Sequence, residues 1–221
     1  MATRARILAD YVSSGVTAAE FDFLDTTSGT PGSGNFLRGD KTWAEAGGGS
    51  WTFIGTSVAS DSATLDQTGL DSSSYDMYAI LFSDIIPATD GAEFKMRMGD
   101  SSGIDSGATD YDWHCANLFD SSATYGAQVS SGADYIKLNP NVGSAATEGF
   151  SGMLYLSSPA TSSVGPMVYG THFAIINSGV SQGGPIFGRR ISAIDLDRIQ
   201  AFFSSGNITS GRMSVYGIAH A

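Results

Sequence analysis

Three histidines and one cysteine are the residues best suited to catalysis here, and their spacing argues against it. His114 adjoins Cys115, the residue types of a thiol nucleophile and its base. Neighbours in an extended strand point to opposite faces, however, so the two cannot readily share a proton. Cys115 is expected in the core. His172 lies in the alternating run Met167–Ile176, where it is expected to face solvent or satisfy a local hydrogen bond, and His220 is the penultimate residue. Asp105, Asp110 and Asp112, with Tyr111 and Trp113, supply the carboxylates and aromatics that glycan hydrolysis needs, but not at a diagnostic spacing. Asp is equally the ordinary turn former of Ser/Gly-rich loops. The stretch from Asp100 to Asp112 offers hard oxygen ligands for calcium without the regular spacing of a calcium loop. No catalytic residue, metal site or cofactor is therefore assigned. Trp113 is assigned to the core, while Tyr125 and Tyr135, near Ser/Gly-rich segments, are candidate host contacts through stacking on sugars. Arg38-Gly39-Asp40 matches an adhesion tripeptide, but a simple turn accounts for it.

These residues must be held by a β framework. Phe94, Met96 and Met98 alternate with Lys95 and Arg97, and Tyr111, Trp113 and Cys115 alternate with Asp112 and His114, as in strands with one buried face. Met77 to Ile86 is nearly continuous in apolar residues and reads as a central strand covered on both sides. Further strands are expected at Trp51–Val58, Ala63–Leu65, Tyr135–Leu138, Phe150–Leu156, Met167–Ile176, Arg198–Phe203 and Arg212–Ile218. With no long helical pattern among them, parallel βαβ folds are disfavoured. The expected fold is mainly β, an antiparallel jelly-roll-like sandwich over residues 51–221, with a short α-helical N-terminal segment.

The chain has 221 residues, 42% hydrophobic and only 15% charged, which suits one β domain with an appendage. Its formal charge is −11, and Arg189-Arg190 is the only adjacent basic pair. No nucleic-acid partner is expected on this ground, because phosphate binding needs clustered basic side chains. Residues 51–221 hold 7 basic and 16 acidic side chains and so carry most of that charge. A single cysteine excludes an intrachain disulfide, and no apolar run approaches a membrane span, so no membrane insertion is expected.

The first 25 residues differ from the rest. Ile7, Leu8, Tyr11 and Val12 fall along one helical stripe, and Thr17-Ala18-Ala19-Glu20 is a capping box flanked by Val16 and Phe21. Helices this short need a surface to pack on, either their own β domain or, as the linker that follows favours, sister subunits or a docking partner. Residues 26–50 form a Gly/Ser/Pro-rich linker around Asn35 to Trp43, which reads as a small hairpin or clasp. Residues 1–25 are therefore expected to be an attachment or oligomerisation segment, with Ile7, Leu8, Tyr11, Val12, Val16, Phe21 and Leu24, joined by Phe36 and Trp43 of the clasp, as its contact residues.

Two of these segments resemble phage tail-fibre proteins. Leu8 to Asp25, with Thr17-Ala18-Ala19-Glu20-Phe21-Asp22-Phe23-Leu24-Asp25, looks like their N-terminal and repeat modules, and Phe36-Leu37-Arg38-Gly39-Asp40-Lys41-Thr42-Trp43 is similar to their clasp. Phe203 to Ile218 resembles a closing hairpin of phage β-structured virion proteins. The resemblance implies a homotrimer attached to the virion by its N-terminus, assembled in the host bacterial cytoplasm. The β domain would then contact other virion proteins or a host glycan or protein. The chain is short for a fibre and carries the module once. A capsid decoration protein is the alternative reading, and a glycan-degrading tail protein a third.

Overall fold

The computed structural model describes residues 35–37, 42–45, 51–120, 122–157 and 164–219. The chain divides into two units between Gly49 and Ser50. In the first, strand β1 (Asn35–Leu37) pairs antiparallel with β2 (Trp43–Glu45), with Leu37 opposite Trp43. This pairing falls within the segment expected to form a small hairpin or clasp. Residues 1–25, with the proposed helices and Ile7, Leu8, Tyr11, Val12, Val16, Phe21 and Leu24, lie outside the described residues, as does Arg38-Gly39-Asp40.

The second unit is an antiparallel sandwich. Its larger sheet holds eight strands: β3 (Trp51–Val58), β15 (Ile208–Ile218), β5 (Met77–Pro87), β11 (Gly149–Ser157), β12 (Met167–Ile175), β13 (Ser181–Arg190), β8 (Tyr111–Phe119) and β9 (Ser122–Ala133), in that spatial order. The smaller sheet runs β10 (Ile136–Val142), β6 (Ala92–Asp100), β14 (Arg198–Phe203) and β4 (Thr64–Thr68), with the short β7 (Gly103–Ile104) paired to β6. Among the described residues no helix is long and apolar enough to cross a membrane.

Alternation in β6 buries Phe94, Met96 and Met98, and in β8 it buries Tyr111, Trp113 and Cys115. Between the sheets, the ring of Phe94 lies 5.3 Å from Phe82 edge-on, 4.9 Å from Phe150 and 4.9 Å from Phe203. These tilted ring pairs contribute beyond the area they bury. The buried Tyr111 hydroxyl reaches the Met98 and Asp105 carbonyls at 2.9 Å, tying β8 to β6.

Three expectations are corrected here. Two strands, β9 and β13, fall in sequences rich in Ser and Gly. In β13 the ladder to β8 is interrupted at Gly184 and Pro185, where proline has no N–H to donate, while the ladder to β12 runs through both residues. At Gly184 a Cβ would stand 2.1 Å from the Ala116 carbonyl oxygen, so glycine is required for the two strands to approach. The segment Phe203 to Ile218 is not a hairpin: β14 pairs with β6 and β4, whereas β15 crosses to the other sheet and pairs with β3 and β5. Gly206, at φ 69°, helps the chain make that crossing. Finally, β5 is central in its sheet, but among the described residues its outer side is only partly covered, with Ala79 buried there and Met77 and Leu81 half-buried. Tyr78, Ile80 and Phe82 enter the core, while Met77 and Leu81 belong to the opposite face.

Candidate interaction surface

Among the described residues, the outer face of the larger sheet exposes a run of large apolar side chains. Pairing registers align Phe53, Tyr216, Ala79, Tyr155, Tyr169, Phe187, His114 and Val129 in one row across all eight strands. The row arises from the two-residue period, which sends Val168, Leu154, Ile186 and Cys115 inward and their neighbours outward. Phe53 is 56% exposed, Tyr169 44%, Phe187 51% and Val129 63%. A parallel row adds Trp51, Ile218 and Met77 and, further along, Met167, Arg189 and Asp112.

The side chains of this face pack on one another. Trp51 meets Tyr155 edge-on at 6.2 Å, Phe53 meets Tyr216 at 5.5 Å, and Tyr155 stacks on Tyr169 at 5.6 Å. Toward β8 the face dips into a depression of about 590 Å³ lined by Met167, Tyr169 and Phe187, with His114, Asp112 and Arg189 beside them. Arg189 donates from Nε and Nη2 to Asp112 Oδ2 at 2.9 and 2.7 Å, so the formal charges of these two rows cancel. Lone exposed apolar residues are ordinary, but contiguous aromatic patches mark interaction sites.

The residues singled out for chemistry are dispersed. His114 sits on the outer row and Cys115 faces the core, where burial pushes its thiol up to about 11. The structure corrects the expectation for His172, which is buried in β12 facing inward. Its register partners on either side are Gly152 and Gly184, which leave room for the imidazole, and the ring stacks on Phe150 at 5.7 Å. Neither ring nitrogen makes a hydrogen bond. Burial pulls its pKa down to about 4, opposed by a Gly184 backbone group that does not meet hydrogen-bond geometry.

The carboxylates of the Asp100 to Asp112 stretch are held by the protein itself. Arg190 Nε donates to Asp105 at 2.9 Å and its Nη2 lies 3.3 Å from Asp110, while Asp112 is bound by Arg189. Asp100 accepts from the Ser102 hydroxyl at 2.5 Å and the Ser102 amide at 2.8 Å, and these bonds hold its carboxyl below the usual range. No group of three metal-ligating side chains occurs among the described residues. Six of the sandwich's seven basic side chains, all except Arg212, pair with carboxylates.

Tyr125 and Tyr135 are not neighbours on one surface. Tyr125 is exposed on the outer face of β9, in a strand rather than a loop, opposite Leu118. Tyr135 is half-buried, stacked on Trp113 at 6.3 Å with the Lys95 ammonium 3.8 Å from its ring centre. The outer row itself was not anticipated from the sequence. Its signal was β12, where Met167, Tyr169 and Phe173 are large and apolar at the parity opposite to the buried Val168 and Ala174. No family model matches the chain, and no match to a curated protein was found.

Proposed function

We propose that this chain is a non-enzymatic structural protein of a bacteriophage virion. In this reading it is a trimeric, tail-associated fibre or adhesion component, docked to the particle through residues 1–25 and presenting a jelly-roll-type sandwich. The crossing of β14 and β15 between sheets is compatible with that fold type. The observation that carries the reading is the neutral aromatic face of the larger sheet, which suits a second copy of this chain.

Three physical points support self-association. The face is rich in Trp, Tyr, Phe and Met with one Arg, and its two rows lack Lys and Glu, which is the composition of an interface core. A chain of formal charge −11 repels its own copies, and this neutral face is where two copies meet with least repulsion. Eight strands at ~4.8 Å spacing and about five residues of each at ~3.3 Å give roughly 600 Å² before side-chain relief. That approaches the ~800 Å² each partner contributes to a stable interface. The internal pairing of Asp105, Asp110 and Asp112 with arginines supports a role without catalysis.

The test is sedimentation of the full chain beside Tyr169→Glu/Phe187→Glu, both exposed positions whose replacement spares the core. A trimeric wild type and a monomeric variant with unchanged circular dichroism are expected. A monomeric wild type, or a variant of unchanged mass, would overturn the assignment of this face. Loss of the trimer in Tyr11→Asp but not in the face variant would move self-association to the N-terminal segment. Gold-labelled antibody to residues 51–221 should mark the tail of intact particles, whereas label over the head would replace the fibre reading with capsid decoration.

A further inference from the structure

A second feature lies on the inner side of the larger sheet, where β8, β9 and β13 meet the edge strand β10. Asn117, Phe119, Gln128, Pro140, Asn141 and Gln182 line a cleft there of about 450 Å³. This falls within the ~300–1,000 Å³ span of small-molecule sites. We propose that this cleft binds a neutral saccharide unit. The inference deepens the host-contact part of the reading above and rests on it only for its biological setting.

The lining is made of amides held with hydrogen-bonding groups to spare. Gln182 is 1% exposed; its Oε1 faces Asn139 Nδ2 at 3.4 Å, and its own Nε2 has no partner. Asn139 in turn accepts from the Asn141 backbone amide at 2.9 Å, and the Asn141 Oδ1 is buried and unpartnered. Lys137 Nζ donates to Gln128 Oε1 at 3.1 Å, which fixes that amide with its NH₂ as the remaining donor. The site thus offers unused donors and an acceptor together, and buried polar groups left unpaired are costly unless something satisfies them.

These groups select a ligand by chemistry. Hydroxyls both donate and accept, as amide pairs require, and the C–H face of a sugar ring packs on an aromatic wall. The Phe119 ring provides that wall, lying within 3.4 Å of where a Cβ on Gly126 would stand. Among the described residues no charged side chain lines the cleft, and the nearby Lys137 is matched by Glu93 at 2.5 Å. An anionic ligand finds no counter-ion there and meets a chain of formal charge −11.

The experiment is saturation-transfer-difference NMR on the full chain with glucose, galactose, mannose and N-acetylglucosamine, and with N-acetylneuraminic acid as the anionic comparison. At least one neutral sugar should give ring-proton signals, and the anionic sugar none. Gln128→Ala and Asn141→Ala, at partly exposed positions, should each weaken binding about two- to tenfold, the effect of losing one neutral hydrogen bond. Tyr125→Ala, on the opposite face, should leave it unchanged. Absence of signal from all four neutral sugars with folded protein, or binding that survives both amide variants, would overturn the proposal. Particle labelling and sedimentation are read separately, so failure here leaves the assembly reading standing.

Discussion

Replacing His172 with Leu should stabilise the sandwich and remove a pH dependence in the same step. The imidazole is buried between Gly152 and Gly184, stacked on Phe150, with both nitrogens unpartnered. Its pKa is held down to about 4, against 6.5 for the unburied group. A base depressed in this way is neutral in the folded chain, while the unfolded chain takes up the proton as pH falls through 6.5. Stability is therefore complete above that value and is lost progressively between pH 6.5 and 4. Worked through the two values, the loss between about pH 7 and about pH 5 is about 2 kcal/mol. At neutral pH the Leu side chain should add roughly 1–2 kcal/mol by removing unsatisfied nitrogens from the core. Urea melts of both chains at the two pH values measure each quantity, with unchanged slopes showing that the unfolded states are alike. Equal pH dependence in the two chains, or a less stable Leu variant at neutral pH, would refute the reasoning.

Two further perturbations test the interior. Desolvation raises the Glu93 pKa, but hydrogen bonds from Lys137 and Lys95 lower it more, so its net shift is downward. Lys137 and Lys95 are register partners on β10 and β6, and Glu93→Gln should leave two like charges facing each other. The expected loss is about 1–2 kcal/mol after discounting for the partial exposure of Glu93. Wild-type stability from this carboxylate is present above its unfolded value of 4.5 and is lost as pH falls through the depressed folded value, which acid titration of both chains checks. Cys115, buried with a thiol raised to about 11, should react with a disulfide reagent in mildly alkaline buffer only when urea unfolds the chain. Fast labelling of the folded protein would contradict its placement.

The strands that carry large apolar residues at one parity were legible in the sequence. Phe94, Met96 and Met98 show their burial directly, as do Tyr111, Trp113 and Cys115, because period-two alternation is the geometry of a half-buried strand. β9 and β13 were not legible, since Gly126, Ser130, Ser131 and Gly132 in the one and Gly183, Gly184 and Gly188 in the other carry little strand propensity. His172 was misplaced because a polar residue in an alternating run is normally assigned outward. Here the outward parity is apolar as well, so parity alone carried no information. The amides of the cleft come from β8, β9, β10 and β13, and only tertiary pairing brings Asn117, Gln128, Asn141 and Gln182 together. Asp112 shows the same limit, since its partner Arg189 is 77 residues away.

The eight-strand row sets where this chain tolerates change in length. A one-residue insertion inside any of those strands exchanges its inner and outer side chains beyond that point. In β12 this would drive Tyr169 toward Leu154 and Ile186 and bring Val168 to the surface, breaking the core and the row at once. Asp84, at φ 54°, shows the permitted exception: a left-handed residue that takes up one unit of slippage where β5 shifts register against β11 and β15. Homologous chains of different length should therefore differ in their connections and at such bulges. The spacing between the outer-row residue and its buried neighbours on each strand should remain constant.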